Sequence, residues 1–127
     1  MVHYDIDSIC TCKILQSLLR HKQTLYTLVV VEGINDLRSA YEEQCDTVKC
    51  FLFINCGGTI DIIEVLEPEE DVVFFVLDSH RPTDVCNIYS SGQIRLLWNH
   101  EEDNQVPEFN DIFREDVSFY TFIYNSV

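Results

Sequence analysis

The chain has 127 residues, enough for one domain with a hydrophobic core and short for two. Its hydrophobic fraction of 46% is ordinary for a globular protein, and its longest unbroken apolar run, residues 72–77, is far too short to span a membrane. With 22 acidic residues against 8 basic ones the net charge is −14, which opposes nucleic-acid binding by this chain alone and favours basic protein surfaces as partners.

The chain opens on "HYDIDSIC", with Asp5 and Asp7 one residue apart between a short apolar stub and a helical pattern. Residues 1–5 carry neither a basic nor an apolar leader segment, so no secretory signal is expected. From Ser8 to about His21, the residues Ile9, Cys12, Leu15 and Leu19 recur at helical spacing, and Asp7 or Ser8 is suited to cap the start. Residues 25–31, "LYTLVVV", read as a strand. Residues 34–44 read as a helix with Ile34, Leu37 and Tyr41 on one face. Residues 48–55, "VKCFLFIN", read as a strand that stops at the turn signal Cys56-Gly57-Gly58. A short helix over 61–66 is closed by Glu67-Pro68. A strand over 72–78, a turn or helix around 83–89 and a strand over 93–98 follow.

The strands are continuous apolar runs that alternate with helices. That pattern predicts a three-layer α/β domain with a mostly parallel sheet and right-handed crossovers. Six cysteines are read as reduced, mostly buried thiols, because no secretory context supports disulfides. Cys10 and Cys12 make a poor metal pair: two positions apart on a helix, they point to nearly opposite faces. Residues 100–117 carry seven acids against Arg114 and read as an acidic linker, with Phe109, Ile112 and Phe113 able to pin one helical turn. The last stretch, "VSFYTFIYNSV", is aromatic and uncharged; as an added strand left exposed it would invite aggregation. The domain is thus expected over 1–99, the linker over 100–117 and an atypical tail over 118–127.

In parallel sheets ligands bind beyond the carboxyl ends of the strands. With strand order 2-1-3-4-5, the ends carrying Asp5, Asp7, Asn55, Asp78 and His80 lie side by side. Carboxylates and imidazole at one edge suit one or two divalent cations that activate water and clamp a phosphate. Each residue also has a structural reading: Asp7 and Asp78 as caps, Asn55 as a turn residue, His80 as a hydrogen-bonding histidine.

The motifs "HYDIDSIC", "LFINCGG" and "LDSHRP" together resemble the DHH phosphoesterase superfamily, which includes RecJ-like nucleases and manganese pyrophosphatases. More specifically, "DIDSICTCKILQSLL", "FINCGGTIDIIEVLEPEEDVVFFVLDSHRP", "VCNIYSSGQIRLL" and "VPEFNDIFRED" are similar to the start of the cell division cycle protein 45 family, across roughly residues 3–116. The resemblance implies a DHH-like domain that is part of a longer protein, with a first strand longer than residues 1–4 supply. A truncated or mis-spliced gene model is the expectation for the short first strand and for the tail, which stands where the family continues in charged residues.

Active DHH members bind metal through an Asp-x-Asp, a later strand-end Asp, an Asp-His-His triplet and a distant fourth Asp. Carried over, Asp5 and Asp7 match the first motif, Asn55 stands at the second, and Asp78, Ser79 and His80 stand at the third. The fourth lies beyond Val127. Asn55 and Ser79 replace an anion and an imidazole, so the resemblance implies a pseudo-enzyme with vestigial ligand positions, no bound metal and no cofactor. The alternative is an active manganese-dependent phosphoesterase or exonuclease. Arg81 is expected to turn its guanidinium toward Asp5 and Asp7 as a substitute counter-charge. The implied role is a non-catalytic, nuclear subunit that joins the MCM ring and the GINS complex in replication initiation and fork unwinding. Single-stranded DNA is expected to contact only the full-length protein, and no membrane is expected.

Overall fold

The computed structural model describes residues 1–90, 92–97 and 107–112. In chain order the elements are β1 (Val2–His3), α1 (Ile6–His21), β2 (Val30–Val31), α2 (Ile34–Glu42), β3 (Cys50–Ile54), α3 (Ile62–Leu66), β4 (Val73–Leu77), α4 (Val85–Tyr89), β5 (Ile94–Leu96) and α5 (Phe109–Ile112). The chain divides into two units, Met1–Leu97 and Trp98–Val127. In the second, Phe109 and Ile112 lie on the helical turn α5 and are exposed. Residues 101–106 and 113–127, which include most of the acidic linker and the whole aromatic tail, lie outside the described residues.

The five strands form one sheet in the order β2-β1-β3-β4-β5. Every pairing is parallel, and β3 and β4 run in register from Cys50↔Val73 to Ile54↔Leu77. Alternation along β3 sends its side chains to two different cores. Phe51 and Phe53 join Phe74, Val76, Leu37, Tyr41 and Ile62 on the α2/α3 side. Leu52 and Ile54 join Val2, Cys12 and Leu15 under α1. Helices therefore cover both faces, the three-layer arrangement expected from the apolar strands. The larger core is aromatic: the rings of Tyr41, Phe51, Phe53 and Phe74 sit with centroids 5.2–5.9 Å apart.

Three local expectations are corrected. The run 25–31 is a strand only at Val30–Val31. β1 is two residues long and pairs Val2 with Val30 and His3 with Val31, so residues 25–28 have no neighbouring strand for their backbone groups. Instead they border an apolar cavity of ≈ 410 Å³ shared with Cys12, Leu15, Phe51 and Leu52. Helix α1 starts at Ile6 rather than Ser8, and its cap is Asp5 rather than Asp7 or Ser8, because Asp5 is the last extended residue and its carboxylate reaches the Ser8 amide. Finally, Ile9 and Ile34, read as core-facing, are each 49% exposed, while Cys12, Leu37 and Tyr41 are buried.

Candidate functional site

The carboxyl ends of β1, β3 and β4 lie side by side, and each delivers polar residues to one edge. From β1 comes Asp5. Its Oδ1 accepts from the Ser8 amide at 2.6 Å, and its Oδ2 lies 2.8 Å from His3 Nδ1. Asn55 Nδ2 donates to both Asp5 oxygens at 3.4 Å. The Ser8 amide, followed by the His3 and Asn55 hydrogen bonds, holds the Asp5 carboxyl well below the usual carboxylate range.

From β3 comes Asn55, held in the left-handed region at φ 52°, a conformation that asparagine tolerates better than most residues. While its amide nitrogen faces Asp5, its Oδ1 accepts from Ser79 N at 3.1 Å and from Ser79 Oγ at 2.9 Å. One neutral side chain thus bridges the end of β1 to the loop after β4. An aspartate here has no N–H to offer, and its charge would face the Asp5 carboxylate.

From β4 comes Asp78, whose side chain is only 5% exposed. Its Oδ2 accepts from Gly58 N at 2.8 Å, and its Oδ1 accepts from His80 N at 2.9 Å and meets His80 Nδ1 at 2.7 Å. Gly58 is required by this approach: a Cβ there would stand 2.8 Å from Asp78 Cβ. Arg81, expected near Asp5 and Asp7, instead donates from Nη1 to the carbonyls of Asp78 and His80, each at 3.1 Å. The side chain that meets Asp5 is His3, through its ring Nδ1.

Asp7 stands apart. It lies exposed in the first turn of α1 and makes no hydrogen bond or ion pair among the described residues. No three of Asp5, Asp7, Asp78 and His80 bring ligating atoms within 4.8 Å of one another; among the described residues the group that does is Asp61, Asp84 and Cys86. Those two aspartates cap α3 and α4. Burial first, then the two carboxylates, push the Cys86 thiol up to about 12. The donor set at the strand ends therefore does not fit the two-metal centre of an active DHH enzyme. Asn55 and Ser79 are engaged with each other, and both Asp78 oxygens are taken by the chain's own N–H groups.

Sequence reasoning missed two residues. His3 stood in the opening motif but carried no assigned role. Asn87, in the short run "VCNIY", is 2% exposed. Its Nδ2 donates to Ile60 O at 2.6 Å and to Gly57 O at 3.2 Å, and its Oδ1 accepts from Ile62 N at 3.3 Å. It holds the loop that presents Gly58 to Asp78. The signal available in sequence was a lone amide among apolar neighbours, which marks a buried hydrogen-bonding residue without naming its partners.

Fold and site together define a parallel-sheet α/β domain whose polar residues at the strand ends, the ligand position of such sheets, are tied together by an internal hydrogen-bond network. The chain belongs to the CDC45 family, whose family model matches residues 1–120. It is 46% identical over 112 residues to the cell division control protein 45 homolog of Mus musculus and 44% identical to that of Homo sapiens, matches that cover 88% of this chain and 20% of each relative. The homolog of Schizosaccharomyces pombe is 32% identical over 113 residues, covering 87% of this chain and 18% of that protein. The crystal structure of CDC45 from Entamoeba histolytica superposes with a TM-score of 0.72 at 27% identity, over 79% of this chain and 20% of that one. The chain thus spans about a fifth of the length of the relatives it matches.

Proposed function

We propose that this chain is the DHH-like portion of a non-catalytic replication factor that acts in the nucleus in initiation of DNA replication, within a helicase assembly containing the MCM ring and the GINS complex. Family membership supports the replication role. The single observation that carries the non-catalytic reading is the Asn55 bridge. Where an enzyme needs an anionic ligand, a neutral amide donates to Asp5 and accepts from Ser79. A carboxylate opened toward metal would abandon those bonds. The acidic surface agrees with docking on basic protein partners rather than with gripping DNA.

The test pairs two assays on the chain and on any longer product that contains it. The first is co-precipitation with purified MCM and GINS. The second is phosphoesterase turnover on p-nitrophenyl phosphate and single-stranded DNA with manganese. Retention on the partners without turnover is the expected result. Manganese-dependent turnover that Asp5→Asn abolishes would overturn the proposal in favour of the phosphoesterase.

A further inference from the structure

We infer that the outward face of α1 docks an acidic amphipathic helix of a partner protein, with an aliphatic ridge as the contact and Lys13 and Arg20 as the charges that select it. This inference does not rest on the replication reading. It begins from a contrast in the sequence. Residues 8–31 contain no aspartate or glutamate, although the chain has 22 acids. The same stretch holds Lys13, Arg20 and Lys22, three of the 8 basic residues. A chain with a net charge of −14 thus carries one locally cationic segment, and α1 occupies most of it.

The helix is apolar on two opposite sides. Its inward side buries Ser8 and Cys12, with Leu15 half-buried against the smaller core. Its outward side presents Ile6, Cys10, Ile14 and Leu18, one i, i+4 row that runs about 18 Å along the axis. Ile6 is 78% exposed, Ile14 65% and Leu18 58%. The adjacent row is Ile9, Lys13, Ser17 and His21, all exposed, and exposed Arg20 follows Lys13 at i+7 on the same side. The ion pairs among the described residues all use other side chains, so no described residue neutralises Lys13, Arg20 or Lys22. An aliphatic ridge with cations along its flank is the kind of patch that marks a protein-docking surface.

Charge complementarity selects the occupant. A second helix packs its own ridge beside an i, i+4 row and covers the aliphatic side chains. Acids flanking its apolar stripe then meet Lys13 and Arg20. A second copy of α1 would bring the same sign of charge to the contact. Nucleic acid would satisfy the cations but leave Ile6, Ile14 and Leu18 facing a polar backbone. A bilayer surface is matched by helices rich in Lys and Arg with aromatic anchors, and α1 has no aromatic residue. The acidic remainder of the chain keeps its preference for basic surfaces, so the two kinds of contact occupy different places.

The probe is a synthetic helix of about 18 residues with leucines at i, i+3, i+4 and i+7 and glutamates on both flanks. A second peptide carries lysines in place of the glutamates. Each is titrated into the ¹⁵N-labelled 127-residue chain at low salt and followed by amide shifts. The acidic peptide is expected to bind at least about tenfold more tightly than the basic one, to move the α1 amides, and to weaken as salt rises. Lys13→Glu combined with Arg20→Glu is expected to reverse the preference toward the basic peptide, a gain that misfolding does not imitate. Ile14→Ser combined with Leu18→Ser, both at exposed positions, is expected to weaken the acidic peptide at least about tenfold. Arg95→Glu, at an exposed position on β5, is expected to leave its binding unchanged. No binding, equal binding of the two peptides, no reversal in the charge-swapped variant, or shifts confined to elements other than α1 would overturn the inference. So would tighter binding of a single-stranded oligonucleotide or of phosphatidylserine vesicles than of the acidic peptide, or self-association of the chain through α1. In a longer product that contains the chain, α1 amides that the peptide does not reach would overturn it as well.

Discussion

Replacing Asn87 by alanine tests how the edge of the sheet is held. The side chain is buried and makes three strong bonds: Nδ2 to Ile60 O at 2.6 Å, Nδ2 to Gly57 O at 3.2 Å, and Oδ1 from Ile62 N at 3.3 Å. A fourth contact, to Gly58 O at 3.5 Å, is marginal, and the two amide hydrogens are already used. Each bond contributes about 1 kcal/mol net, and each buried partner left unsatisfied costs about 1–3 kcal/mol unless water enters the space vacated. Asn87→Ala is therefore expected to destabilise by about 3 kcal/mol, a large share of the ~5–15 kcal/mol of a typical domain. Urea unfolding followed by circular dichroism should show a lower midpoint with an unchanged slope. Amide exchange at Gly58 and Ile62 should quicken in the native state. Asn87→Asp keeps the acceptor but loses both donors and buries a charge, so it should be no better than alanine at neutral pH. A loss below about 1 kcal/mol, or Ile62 exchange as slow as in the parent, would refute the assignment of Asn87 as the loop's anchor.

Four further outcomes follow from the same geometry. Gly58→Ala sets a Cβ 2.8 Å from Asp78 Cβ and should destabilise by roughly 1–3 kcal/mol in the same unfolding assay while shifting the His80 ring resonances. The Asp5 carboxyl is held low in the folded state, so its contribution to stability is complete above about pH 5 and is lost as pH falls through the carboxylate range toward the depressed folded value; thermal unfolding of Asp5→Asn should show a flatter acid limb than the parent. Asn55→Asp removes the donor to Asp5 and adds a like charge, so the melting temperature should fall at neutral pH and recover part of the loss on acidification; an unchanged melting temperature at neutral pH would contradict the bridge. Burial pushes the Cys56 thiol up to about 11, and burial with Asp61 and Asp84 pushes Cys86 up to about 12; at about pH 8 iodoacetamide should therefore label the exposed Cys10 and Cys50 well before these two, as peptide mass spectrometry would show.

Much of the site was legible from strand ends alone. Asp5, Asp7, Asn55, Asp78 and His80 were placed at one edge because apolar runs mark strands and parallel order aligns their carboxyl ends; the strand order is the expected one and brings Asp5 to Asn55 and Asp78 to His80, whereas Asp7 lies exposed on α1 without a hydrogen bond among the described residues. The position of Arg81 was not legible: a guanidinium on a long flexible side chain can reach several acceptors, and here Nη1 takes the carbonyls of Asp78 and His80. The role of His3 was hidden because residues two apart share a face only where the backbone is extended, and whether residues 3–5 are extended or already helical was decided by where α1 begins.

The sequence by itself determined the kinds of element, their order, the three-layer class and the family, because apolar periodicity, capping residues and glycine turns act over a few neighbouring residues and leave a local imprint. The resemblance to the DHH superfamily implied in addition that Asn55 and Ser79 stand where that pattern has an Asp and a His. Tertiary structure alone decided how long a strand is, which acid caps a helix, and which partners the polar residues at the strand ends bond to. "LYTLVVV" has strand chemistry throughout, yet only Val30 and Val31 have a paired neighbour. Asn55 joins Asp5 and Ser79, residues 50 and 24 positions away. Hydrogen bonds of that reach depend on where the chain brings its ends together, and no local pattern records it.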